Sequence, residues 1–326
     1  MTSEPFPSPG PFPPSGKAFL GVATAEGPYD LGPVDAFASA TGYAPAVLMF
    51  FQGWAVNPFD RTVFDRVADR GMLPMLSWEP WDYRATGPGR APGDQPDYRL
   101  SRIAGGDFDA YVASWAQGVK DLGYQVPIRF AHEMNGFWYP WCEQANGNRP
   151  GDYVAAYRHV HDVFTRAGAT NARWVWSPNV CYPGAEPLPR LYPGDGYVDW
   201  VGVSGYYGSP GHEDYRGFDE IFAATLDELR ALAGGKPIVV TETGATDTAG
   251  LQASWVADMF ACLPRHRDVI GVVWFEATAG PDYRLAGSEA AAKAYGAGAA
   301  DPRYRTAWAR GHALRAATGG RHGQGR

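Results

Sequence analysis

The sequence predicts an α/β chain folded as a single (β/α)8 barrel of the TIM type, with its active site at the C-terminal ends of the strands. Three observations predict it. Eight short apolar or β-branched runs alternate with stretches of helical period. The segments that follow those runs are long and aromatic, while those that precede them are short. Across 326 residues, 45% of them hydrophobic, no central stretch is poor enough in apolar residues to be a linker.

The eight runs are Lys17–Thr24, Ala46–Gln52, Met72–Trp78, Val126–Glu133, Arg173–Ser177, Val198–Tyr206, Pro237–Glu242 and Val269–Phe275. Each is followed by room for a helix, so the strands are expected to be parallel and joined by crossovers. The helices carry their own start and stop signals. Asn57-Pro58 reads as an N-cap with proline at the first helical position, ahead of Phe59, Val63 and Val67 on one face and Gly71 at the end. Asp107 is expected to open a helix that closes at Gly123, and Asp152 one that closes at Gly168. Ile221, Phe222, Leu226, Leu229 and Leu232 form a further stripe before Gly234-Gly235. A doubly wound open sheet would carry a glycine-rich phosphate turn after its first strand, and neither GxGxxG nor GxxxxGK[ST] occurs. Residues 1–16 are expected to be a flexible Pro-rich tail, 17–317 the barrel, and 318–326 a Gly/Arg-rich tail.

Composition narrows the partners. Lys and Arg number 28 against 35 Asp and Glu, a formal net charge of −7, and no basic run could follow a phosphate backbone. Nucleic acid and membrane are therefore not expected, and a neutral substrate fits better. Aromatics make up 14% of the chain, with 12 Trp, several just after expected strands; most should pack the core, and the rest could form platforms for sugar rings. Three cysteines form no metal spacing, and Cys142 and Cys181 are the one pair that could meet at one barrel end, with free thiols the simpler expectation. The first 16 residues lack an apolar leader, and no run of about 18 apolar residues follows. Export and a cytoplasmic location both stay open.

Two expected strands end on a glutamate, VPIRFAHE at Glu133 and KPIVVTE at Glu242. Alternation places Arg129, Ala131 and Glu133 on one side, and Ile238, Val240 and Glu242 on the matching side of the other strand. Each glutamate could simply anchor a loop or pair with a basic residue. Two carboxylates facing one cleft also suit glycosidic hydrolysis, with retention expected for a gap of about 5–5.5 Å and inversion for a larger one. His132-Glu133 begins like a zinc-protease motif, but Gly136 stands where the second histidine belongs, and Ser204 in GVSGY is not in a GxSxG context. No metal or other cofactor is indicated.

The segment RFAHEMNGFWYPW, Arg129 to Trp141, closely resembles the signature of glycoside hydrolase family 26, retaining β-glycanases with a (β/α)8 barrel. The resemblance continues through WVWSPN (Trp174–Asn179), YVDWVGVSGYYG (Tyr197–Gly208), VVTETG (Val239–Gly244) and VVWFE (Val272–Glu276). It implies that Glu133 is the acid/base and Glu242 the nucleophile. It further implies that His132 bonds the acid/base carboxylate or sugar hydroxyls, that Trp138 stacks on the cleaved sugar, that Tyr206 lies near the nucleophile, and that Trp274 floors the site. Trp78 and Trp141 join these as expected substrate contacts. Arg129 is expected to be a buried cation keeping Glu242 ionised, or a structural tie, and Asn135 a supporting residue. Ser204 and Glu276 depart from the family pattern, which commonly has Asp and Asn there. The implied activity is endo-hydrolysis of a β-linked polysaccharide by a monomer, with β-1,4-mannan the first choice and β-1,3-1,4-glucan the alternative, the latter suggested by Trp78-Glu79-Pro80-Trp81. A barrel that binds polysaccharide without cutting it is the rival from another class; it predicts loss of one of the two glutamates, and both are present.

Overall fold

The structure is a computed structural model that describes residues 10–85, 93–209, 211 and 214–316. Eight parallel strands close into a barrel in sequence order: β1 Phe19–Thr24, β2 Val47–Gly53, β3 Leu73–Glu79, β4 Val126–Phe130, β5 Ala172–Trp176, β6 Trp200–Tyr207, β7 Ile238–Ala245 and β8 Val269–Glu276. β8 returns to β1 with Phe19 opposite Gly271 and Thr24 opposite Glu276, which leaves no free edge. Around them lie α1 Gly32–Thr41, α2 Arg61–Asp69, α3 Leu100–Ala104, α4 Asp109–Leu122, α5 Asp152–Ala167, α6 Leu188–Leu191, α7 Phe218–Leu232, α8 Gln252–Cys262 and α9 Glu289–Ala299.

The strands are buried along almost their whole length because the barrel interior takes one face and the helices the other. At the bottom, Phe19 fills the interior, and Gly271 across from it is the residue that lets it fit: a Cβ there would lie 2.1 Å from the Phe19 ring. Within the segment 1–16, expected to be a flexible tail, residues 10–16 are described and are anchored to the barrel. Phe12 is fully buried, stacks on Phe19 with ring centres 5.6 Å apart, and exchanges backbone hydrogen bonds with Ala313 and Arg315, so its ring closes the barrel floor. Apolar burial of one aromatic offsets the poor packing power of the prolines around it. Residues 1–9 and 317–326 lie outside the described residues.

Two helix starts differ from expectation. α2 begins after Asp60, whose carboxylate accepts from the Thr62 amide at 2.9 Å, while Asn57 accepts from the Gly53 amide and closes the turn after β2. Asn and Asp side chains serve turns and caps equally well, so their order along the chain did not say which did which. Asp107 bonds Arg102 at 2.7 Å and stands outside α4, which starts two residues later. α5 starts at Asp152 as expected, but the group that caps it is Glu143, which accepts from the amides of Gly151 and Tyr153. That carboxylate at a helix N-terminus ties the long loop after β4 to α5.

Candidate active site

The upper interior of the barrel is a polar layer built around one cation. Arg129, on β4, is fully buried. Its Nη1 donates to Glu242 Oε2 at 2.7 Å and to Ser77 Oγ at 3.2 Å, its Nε donates to Ser177 Oγ at 3.1 Å, and its Nη2 donates to Ser204 Oγ. A buried charge is tolerated only when paired and hydrogen-bonded, and here strands β3, β6 and β7 and the turn after β5 each contribute a partner. Small residues make room for the layer: a Cβ on Gly202 would lie 2.7 Å from Ser177.

Glu242 reaches the layer through a bulge rather than through simple alternation. On β6, Val203 pairs with Val240 and Ser204 with Glu242, so Thr241 is an extra residue, and β8 shows the same offset. Thr241 also turns inward, where its hydroxyl lies 2.7 Å from Ser177 Oγ. The Tyr206 hydroxyl donates to Glu242 Oε1, so both carboxylate oxygens are held. The Tyr206 pKa is raised well above its ordinary value by burial and by Glu242, which keeps it a donor.

Glu133 also departs from alternation. β4 ends at Phe130, and Ala131 and Glu133 both have left-handed backbones, with φ of 47° and 55°. Such residues cost about 1–3 kcal/mol each and persist only where neighbours hold them. Here the Ala131 amide donates to Trp78 O, the Glu133 amide donates to Ser177 O at 2.7 Å, and Trp141 Nε1 donates to His132 O at 2.6 Å. The resulting kink points Glu133 into the cleft, where its Oε2 accepts from Trp138 Nε1 at 3.0 Å and its Oε1 lies 4.0 Å from Arg129. Burial, and next the Glu242 charge, push its carboxyl up to about 7, against the opposing pull of Arg129 and hydrogen bonds from Ser204 and Trp138.

The two glutamates open on a cavity of about 1130 Å³, lined also by Trp138, Tyr182, Tyr206 and Phe275. Several expected contacts sit elsewhere. Trp78 and Trp274 are fully buried on the helix side of the barrel, Trp78 against Trp54 and Trp115, Trp274 against Trp255 and Tyr295. The residues that take the inward places are Ser77 and Glu79 on β3 and Phe275 on β8. Trp141 is likewise buried, stacked on Tyr139 with centres 4.3 Å apart, and acts on the site by holding His132 O. His132 does not bond Glu133. It is 1% exposed, with Nδ1 3.3 Å from Ser77 Oγ and Nε2 3.9 Å from Glu79 Oε1, and burial and Arg129 lower its pKa well below the usual value, so it is a neutral packing group beneath the cleft.

Asn135 is a tie: its Nδ2 donates to Asn179 O and its Oδ1 accepts from the Asn179 amide, joining the loops after β4 and β5. Of the two departures, Ser204 is an Arg129 partner, whereas Glu276 accepts from the amides of Leu285 and Ala286 and anchors a loop. Cys142 is buried and Cys181 exposed, and both are free thiols. Sequence reasoning missed Phe275 and Tyr182. The signal available in β3 was its two polar residues, Ser77 and Glu79, at a spacing of two; β8, VIGVVWFE, offers no comparable marker of its inner face.

Residues 95–248 match the family described as glycosyl hydrolase family 26. The chain belongs to glycosyl hydrolase family 26. Endoglucanase H of Acetivibrio thermocellus is 30% identical over 291 residues, which is 84% of this chain and 30% of that protein. A mannan endo-1,4-beta-mannosidase of Bacillus subtilis is 28% identical over 158 residues, 46% of this chain and 40% of that protein. The family-26 chain thus spans well under half the length of these curated relatives. Among solved structures, a GH26 beta-mannanase from Bacteroides ovatus superposes with a TM-score of 0.66 at 18% identity, covering 89% of this chain and 90% of its own. The modular endo-beta-1,4-mannanase of Cellulomonas fimi does so with 0.66 at 21%, covering 90% and 72%. These likenesses establish the (β/α)8 fold of the family-26 barrel.

Proposed function

We propose that this family-26 barrel is a retaining endo-β-glycosidase that hydrolyses a β-linked polysaccharide, with Glu133 as acid/base and Glu242 as nucleophile. The observation that carries this reading is the contrast between two identical side chains in one cleft. Glu242 is clamped on both oxygens by Arg129 and Tyr206, whereas Glu133 has its carboxyl pushed up to about 7. Such a pair divides the labour of glycoside hydrolysis. Glu133 protonates the glycosidic oxygen as Glu242 attacks the anomeric carbon and the leaving sugar departs. Water then attacks the glycosyl-enzyme with Glu133 accepting its proton, and Glu242 is released.

β-1,4-mannan is the first substrate, supported by the relatives named mannan endo-1,4-beta-mannosidase. β-1,3-1,4-glucan is a second reading, favoured by one observation: the relative aligned over 84% of this chain is named Endoglucanase H. A monomer acting on polysaccharide alone fits a cleft formed within one barrel. Reducing-sugar release from galactomannan, glucomannan, barley β-glucan, β-1,3-xylan and carboxymethylcellulose, with the first-formed anomer followed by NMR, tests the reading. Release with β product supports it; no release from any, or an inverted product, overturns it.

A further inference from the structure

The two steps of the proposed hydrolysis make opposite demands on Glu133: it must carry a proton to release the leaving sugar, and must be ionised to take one from water. Burial, and next the Glu242 charge, push its carboxyl up to about 7, which serves the first demand and opposes the second. Arg129, Ser204 and Trp138 act the other way. Of the two uncharged groups among these, Ser204 also bonds the cation that holds Glu242.

Ser204 stands on β6 where that strand passes the bulge at Thr241. It is fully buried, and its backbone is tied to the turn after β5 in both directions: the amide donates to Pro178 O at 3.0 Å, and the carbonyl accepts from the Val180 amide at 2.8 Å. Arg129 has donors only, so Ser204 Oγ must be the acceptor from Nη2, and the Ser204 proton is left to point elsewhere. It is donated to Glu133, whose Oε1 lies 4.0 Å from that same Nη2. Glu242, Arg129, Ser204 and Glu133 thus form one continuous chain. We propose that Ser204 is a positioning residue that links the two carboxylates: it accepts from the cation that holds Glu242 and donates to Glu133, which supports Glu133 as the ionised base of the second step. Being neutral, the hydroxyl does this without competing with Glu242 for the charge of Arg129, as an Asp in its place would.

Among the described residues, the charged groups facing Glu133 are Arg129, Glu242 and Glu79, whose own carboxyl burial pushes up to about 7. Burial raises the hydroxyls of Tyr139, Tyr182 and Tyr206 and the thiol of Cys142, so these four stay neutral near pH 7.

This inference rests on the hydrolase reading, and its test separates the two. Ser204→Ala removes the hydroxyl and leaves Arg129 with Glu242, Ser77 and Ser177 as partners. Two pH series are compared with the wild type. For kcat/KM on a soluble β-linked oligosaccharide, whose leaving sugar needs the proton, the basic limb should move upward by about one pH unit, the weight of a hydrogen bond to a charged group. For kcat on a 2,4-dinitrophenyl β-disaccharide, with decay of the glycosyl-enzyme limiting, the acidic limb should also move upward, because Glu133 must ionise for that step. Both displacements should persist in a Glu79→Gln background, which removes the other carboxyl that titrates near pH 7. Limbs that stay in place or move downward, with rates lowered or lost at all pH values, overturn the role of Ser204 and leave the hydrolase reading standing. Displacements that vanish in the Glu79→Gln background overturn it too. Absence of any hydrolysis by the wild type overturns both readings.

Discussion

Replacing Arg129 by Met removes the cation at the centre of the polar layer while roughly keeping its stem. The structure says which loss dominates. Ser177 keeps the Thr241 hydroxyl at 2.7 Å, Ser77 keeps His132 Nδ1 at 3.3 Å, and Ser204 keeps Glu133, so all three hydroxyls that Arg129 contacts retain partners. Glu242, 7% exposed, loses the ion pair at 2.7 Å. Breaking a buried pair by deleting one partner costs about 3–5 kcal/mol, a large share of a total stability of about 5–15 kcal/mol. Arg129→Met should therefore lower the free energy of unfolding by about 3–5 kcal/mol, read as a fall in the urea midpoint at unchanged slope. Glu242→Gln in the same chain removes the stranded charge, so the double variant should be more stable than the Arg129→Met single, with a coupling of at least about 1.5 kcal/mol. A single-variant loss under about 1 kcal/mol, or additive effects of the two substitutions, would refute the view that this ion pair organises the layer.

Because Glu133 acts as an acid only while protonated and its carboxyl is pushed up to about 7, kcat/KM should fall as pH rises through about 7. Trp138→Phe removes a hydrogen bond that favours the Glu133 carboxylate, so it should move this limb to higher pH; a pH series on a soluble substrate decides, and a limb that stays or moves down counts against the contact. Trp274→Ala should cost about 3–5 kcal/mol of stability by emptying the layer between barrel and helices, with KM changed less than twofold in material that remains folded. Phe275→Ala should do the opposite, raising KM severalfold at a smaller cost in stability, and paired kinetics and denaturation would expose the assignment if the two patterns were exchanged.

Much of the fold was legible in the sequence because the signals are local. Eight apolar runs, the stripes of the helices and the glycines after them state where elements lie: Gly123 and Gly168 both adopt the left-handed backbone that ends α4 and α5. The two expected strands that end on Glu133 and Glu242 pointed to two carboxylates, and both line one cleft. Capping was less legible, since Asn57, Asp60 and Asp107 are chemically alike and only their neighbours decide which one starts a helix.

What the sequence alone determined is the order of strands and helices and the two glutamates at the ends of expected strands. What only the tertiary structure decided is which way each side chain points and what it meets. Trp78 and Trp274 were expected in the cleft and stand on the helix side, because a barrel strand is buried on both faces and hydrophobicity does not mark the inner one. Glu133 and Glu242 reach the cleft through a kink with left-handed residues and through a bulge at Thr241, neither of which follows from a period of two. Arg129 and Glu242, 113 residues apart, are joined only by closure of the barrel, which brings four other segments around one buried cation. The environments that set the two glutamates apart are contacts between distant segments, so they exist only in the folded chain.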